Sequence, residues 1–168
     1  KMSSTRLVVI SNGVAAPNTL YWTANSDEQN NSTTITLQPR AYADPSQVWV
    51  LKNDGTSSGK NTIINVGNKS QKVWVVTAVD GNNLCMKEYN SADIVKPVQQ
   101  FIITTPSKPG VPVTPSKPGL PVSPYVIQSV GMANQNVISY VKPGVTIPEL
   151  SLSPKTDNGQ WIILPIIN

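Results

Sequence analysis

Histidine is absent from this 168-residue chain, cysteine and phenylalanine occur once each, and only 13% of the residues are charged. Each shortage excludes something. Without histidine the commonest general base is missing, and Cys85 has neither an imidazole to activate it nor a second thiol to bridge. The same gap removes a His/Cys zinc set. No phosphate-binding Gly loop and no spaced carboxylate pair is visible, so no catalytic residue, metal or cofactor is expected. No apolar run is long enough to cross a bilayer as a helix, and no window sustains helical periodicity. The net charge of +4 is diffuse, with no Lys/Arg cluster, so neither nucleic acid nor membrane insertion is expected.

Low charge leaves Asn, Gln, Ser and Thr to cover the surface, and these suit neutral polar contacts. No charged head and apolar run follow Met2, so a secretory leader is not visible and a cytoplasmic location is expected, unless a leader has been trimmed. Asn30, Asn31 and Asn68 match the glycosylation pattern, which recurs easily in a chain so rich in Asn, Ser and Thr. Leu84-Cys85-Met86 is an apolar stretch in which the cysteine reads as a buried small hydrophobe.

What is present is strand and turn chemistry in three weak copies. Each copy opens on an apolar run closed by glycine: Val9-Ile10-Ser11-Asn12-Gly13, Ile63-Ile64-Asn65-Val66-Gly67 and Ile127-Gln128-Ser129-Val130-Gly131. A second run follows in each, at Leu20-Tyr21-Trp22, Val73-Trp74-Val75 and Val137-Ile138-Ser139-Tyr140. Third runs alternate, at Ile35-Thr36-Leu37, Leu84-Cys85-Met86 and Leu150-Ser151-Leu152. The closing runs each carry an aromatic: Gln47-Val48-Trp49, Gln99-Gln100-Phe101 and Gly159-Gln160-Trp161. Turn signals such as Asn53-Asp54-Gly55, Asp80-Gly81 and Pro143-Gly144 separate them.

Twelve short strands in three copies predict an all-β fold with pseudo-threefold symmetry, the closing aromatics sharing one core. The copies span about 5–52, 60–104 and 125–168 of a single domain. Between the last two lies a Pro-rich stretch, about 105–124, in which Pro-Ser-Lys-Pro-Gly occurs twice. Its proline density argues against strand pairing and for an exposed insert.

The three closing tripeptides resemble the Q-x-W signature of the ricin-B-type β-trefoil lectins. Gln47-Val48-Trp49 matches fully, Gln99-Gln100-Phe101 substitutes the aromatic, and Gly159-Gln160-Trp161 loses the motif glutamine. The lack of disulfides is similar to the small cytosolic β-trefoil lectins of fungi. The resemblance implies a β-trefoil that binds glycans or glycoproteins in shallow pockets, without catalysis. It also implies an Asp on the second strand and an aromatic about ten residues before the motif glutamine. The Asp is missing from all three copies, and the aromatic position falls near Leu37, Tyr89 and Glu149, so only the second copy keeps it. The usual galactose pocket is therefore not expected.

Candidate sugar contacts are Trp74 and Tyr89 in the second copy, Tyr140 with Asn158 in the third, and Trp22, taken as the equivalent of Trp74. Tyr21 and Trp22 must face opposite ways on a strand, so one of them is expected to be accessible. Asn82-Asn83, Asn134 and Asn136 lie in loops where Asn commonly serves the backbone. The alternative function is protease inhibition through exposed loops, either the Pro-rich insert or the stretch from Gln29 to Thr33.

Overall fold

The computed structural model describes residues 5–27, 32–54, 59–67, 73–89, 96–105, 108–112 and 124–166. Over these the chain forms strands β1 (Thr5–Ser11), β2 (Tyr21–Asp27), β3 (Ser32–Gln38), β4 (Trp49–Asn53), β5 (Lys60–Asn65), β6 (Val73–Val79) and β7 (Asn83–Tyr89). They continue with β8 (Phe101–Thr105), β9 (Lys108–Pro112), β10 (Val126–Ser129), β11 (Asn136–Tyr140), β12 (Glu149–Ser153) and β13 (Ile162–Pro165). The only helical pieces among the described residues are two 3-10 turns, Pro45–Gln47 and Pro97–Gln99.

Six strands make a closed circuit in the order β13, β1, β4, β5, β8, β10. Registers such as Ile10 with Ile163, Val8 with Trp49 and Ser129 with Phe101 run antiparallel. Tyr125 and Trp161 exchange two main-chain bonds of 2.8 Å, which ties the last gap shut. A closed circuit leaves no open edge.

The other strands form three hairpins, β2–β3, β6–β7 and β11–β12. They meet at one end of the barrel, where Glu149 of β12 pairs with Thr36 of β3, and Ser151 of β12 with Asn83 of β7. The pairs Trp22–Leu37, Val76–Met86 and Val137–Leu152 occupy matching inward places in the three copies. Strict alternation produces this, as in β12, where Leu150 and Leu152 are buried and their neighbours are not.

All three copies contribute to one core that includes Trp49, Phe101 and Trp161, each fully buried as expected. Trp22 joins them, edge-on to Trp49 at 5.9 Å and to Trp161 at 5.3 Å between ring centres. Trp49 Nε1 donates to the Trp22 carbonyl at 3.1 Å and Trp161 Nε1 to the Val137 carbonyl at 2.9 Å. These matching bonds identify Val137 as the counterpart of Trp22.

The motif glutamines are internal fasteners. Gln47 Nε2 donates to Thr23 Oγ1 and to the Pro39 carbonyl, while its Oε1 accepts from the Ala41 N–H at 2.8 Å. In the third copy a Cβ on Gly159 would stand 3.0 Å from Ile138 Cγ2 and 3.1 Å from two carbonyl oxygens. Ile138 is the counterpart of Thr23, so the glutamine's polar partner is gone and its space is taken.

The expectation that proline excludes the insert from pairing needs correction. β9 lies inside the Pro-rich stretch and pairs with β8, Thr104 opposite Pro112 and Thr105 opposite Lys108, with a register shift between them. It ends the sheet order, and a terminal strand with an irregular register is where proline is tolerated. Residues 106–107 and 113–123 of the stretch lie outside the described residues.

Candidate functional site

A groove of about 590 Å³ runs between the second and third hairpins where they meet Thr34 of the first. The β6–β7 turn forms one wall and β11–β12 the other. Gly81 and Asn82 both take positive φ, 82° and 59°, which turns the chain tightly enough to aim the Asn82 carbonyl at β12. That carbonyl accepts from Ser151 Oγ and from the Leu152 N–H, both at 2.9 Å. The two hairpins are thereby stitched along the floor of the groove.

The lining is mixed. Ile138 supplies apolar surface, and Asn83, Ser151 and Ser153 supply amide and hydroxyl groups. Tyr140 stands on β11 with 46% of its surface exposed, opposite Glu149 on β12. Lys142 Nζ holds Glu149 Oε2 at 3.1 Å, so the carboxylate in the groove is already paired. Cys85 also faces the groove. Leu84 and Met86 point inward, and alternation turns the residue between them outward, so the thiol is half-buried and not a core group. Burial pushes it up from its ordinary value, with Lys87 pulling the other way. A protonated thiol and a neutralised carboxylate make a surface suited to contacts with hydroxyl groups and a ring face.

A second cluster lies on the first copy. Arg40 sits between two tyrosines, its Cζ 5.6 Å from the Tyr21 ring centre and 5.1 Å from that of Tyr42. Its Nη1 donates to Gln47 Oε1 at 3.1 Å and to the Ala41 carbonyl at 3.3 Å. Tyr42 is 86% exposed. The turn carrying it closes through the Asp44 N–H on the Ala41 carbonyl at 3.2 Å, with Ala43 in the left-handed region at φ 63°. Beside Tyr21, Gln38 Nε2 donates to Asn25 Oδ1 and Thr36 Oγ1, a neutral polar floor on the outward face of β2–β3.

Of the residues proposed from sequence, Tyr140 lies at the groove. Asn158 does not line it; it takes φ 58° in a turn, and its carbonyl accepts from the Ser139 N–H at 2.8 Å. Asn134 likewise sits at φ 64°, and Asn136, which heads β11 and is not in a loop, donates to carbonyls of the β12 end, so both serve the backbone. Trp22 must be withdrawn as a sugar contact, because it is fully buried and no face is open to a ligand. Tyr21 is the accessible member of that pair. Trp74 is also not its equivalent: Val76 is, and Trp74 packs half-buried against the core two residues earlier. Tyr89 ends β7 opposite Val73, and its side chain lies outside the described residues. Of the stretch from Gln29 to Thr33, one of the two inhibitory candidates, residues 29–31 lie outside them as well, and Ser32 and Thr33 open β3. The Arg40 cluster was missed, since no sequence signal joins Tyr21 to a loop so far along the chain.

No protein-family model matches the chain, and no curated protein does. Solved structures do. The β-trefoil lectin of the Vibrio vulnificus hemolysin/cytolysin, determined with N-acetyl-D-lactosamine bound, covers 99% of this chain over 99% of its own, at 10% identity and a TM-score of 0.54. The fold is a β-trefoil. The SDF2-like protein from Arabidopsis thaliana is similar over 97% of this chain and 94% of its own, at 11% identity and a TM-score of 0.59. Identities this low establish the trefoil and leave its ligand to the residues of this chain.

Proposed function

We propose that this β-trefoil is a lectin that binds a neutral or weakly charged glycan without changing it chemically. The observation that carries the reading is the groove between the second and third hairpins. Tyr140 offers an exposed ring for the apolar side of a sugar, with Asn83, Ser151 and Ser153 within the same lining for its hydroxyls. The paired Glu149 and the thiol raised by burial favour binding over catalysis. That a solved trefoil lectin was determined with a sugar bound supports the class of ligand. A glycoprotein partner and the cytoplasmic location expected from the sequence complete the proposal.

The test is a glycan array on the purified chain, followed by titration of the best ligand. Tyr140→Ala should weaken that ligand about tenfold or more, roughly 1.4 kcal/mol, while Trp74→Ala acts only through stability. An unchanged affinity in Tyr140→Ala would reject the groove. A blank array accompanied by nanomolar inhibition of a protease would replace the lectin reading with the inhibitory one.

A further inference from the structure

We infer that the Arg40 cluster on the first copy is a second binding site, separate from the groove, for a sugar bearing a carboxylate. The inference rests on the lectin reading for the sugar, and on Arg40 for the acid.

Both hydrogens of Arg40 Nη1 are committed, one to Gln47 Oε1 and one to the Ala41 carbonyl. Gln47 is itself fully buried and held by Thr23 and Pro39, so the guanidinium is anchored to the core of the first copy. The rings of Tyr21 and Tyr42 flank it within cation–π distance. Nε and Nη2 remain, and among the described residues neither has a partner, nor has Arg40 a carboxylate within ion-pair distance. Those two N–H groups are parallel and spaced to meet the two oxygens of one carboxylate. An uncompensated cation locked in a single orientation, with that edge open, is pre-organised for an anion.

The surroundings favour a sugar over a bare anion. Tyr42 presents its ring to solvent beside the guanidinium, and the Gln38–Asn25–Thr36 network lies next to Tyr21 as a floor of neutral polar groups. Ala43 keeps the turn in a backbone region that costs an alanine energy, and such strain persists where the surrounding contacts over-determine it. A pyranose acid would place its carboxylate on the Nε–Nη2 edge, with its ring against Tyr42 and its hydroxyls toward the amide floor.

The experiment uses the full chain, labelled with ¹⁵N, and follows the Arg40 Nε–H resonance during titration with glucuronic acid. Its uncharged methyl ester, glucose, acetate and an Asp-containing peptide are titrated in parallel. Glucuronate should shift the Nε–H resonance and saturate, whereas the ester and glucose leave it in place. Arg40→Lys keeps the charge and loses the fork, and it should weaken glucuronate tenfold or more, read by calorimetry. Tyr42→Ala should weaken it several-fold with the melting temperature unchanged. Equal binding of acid and ester, or wild-type affinity in Arg40→Lys, would overturn the site. Acetate or the peptide binding as tightly as glucuronate would overturn the sugar assignment. If Tyr140→Ala proves harmless while glucuronate still shifts Arg40, the groove reading fails and this one stands.

Discussion

Among the described residues, buried side-chain polar atoms divide into those that are satisfied and two that are not, Trp22 Nε1 in the core and Gln135 Oε1 outside it. Trp49 and Trp161 each donate an indole N–H to a carbonyl of the second strand of their own copy. Trp22, equally buried, has no partner for its Nε1 among the described residues, and a buried donor left unmade costs about 1–3 kcal/mol. Two substitutions of the same chemistry should therefore differ. Trp49→Phe loses volume and a hydrogen bond, and leaves the Trp22 carbonyl without its indole donor. Trp22→Phe loses the same volume while removing the orphan donor. Trp49→Phe should be the more destabilising by about 1–2 kcal/mol, measured by denaturant unfolding of the two variants. Equal costs would mean that the Trp22 indole is satisfied in solution.

At the scale of elements, the glycines that close the first run of the later copies explain why the copies pack as they do. A Cβ on Gly67 would lie 2.6 Å from the carbonyl carbon of Pro45 and from the Ser46 nitrogen. One on Gly131 would lie 2.6 Å from the nitrogen of Val98. In each case the obstacle is the backbone of the 3-10 turn from the copy before, which Asp44 caps in the first copy by accepting from the Ser46 N–H at 2.9 Å. Backbone held this way cannot step aside. Gly67→Ala and Gly131→Ala should each cost about 1–3 kcal/mol, whereas Gly144→Ala, with open space around it, should be penalised only for its positive φ. Thermal melts of the three variants check this, and a harmless Gly67→Ala would show the turn to be mobile. The glycines were legible as punctuation in the sequence, and so were the closing aromatics, because each copy repeats them. The register within the second strands was not. Trp22 and Trp74 look alike in sequence, but the core position is set by the cross-strand pairs Trp22–Leu37 and Val76–Met86. The Arg40 cluster stayed hidden for a related reason, since a loop must turn back over β2 before its arginine meets Tyr21.

For the whole molecule the decisive feature is that the first and third copies are joined as firmly as successive ones. β1 pairs with β4 of its own copy on one side and with β13 of the third copy on the other, through Ile10 opposite Ile163 and Val9 opposite Leu164. The three tryptophans that meet edge-on come from these two copies, while Phe101 of the second lies in the same core. No copy can lose its packing and leave the others intact, so unfolding should be one cooperative transition. Ile163 tests this at the closure itself, being 2% exposed on β13. Ile163→Ala removes buried methyl groups, which costs about 2–5 kcal/mol. For a chain of this size that corresponds to a melting temperature lower by roughly 5–20 °C. With Trp74 of the second copy replaced by phenylalanine, the remaining three indoles report the first and third copies, and far-UV circular dichroism reports all strands. Both signals should move together in Ile163→Ala, with one midpoint. Fluorescence falling at a lower temperature than dichroism would mean that the second copy stands alone, and that closure by β13 contributes less than the shared core implies.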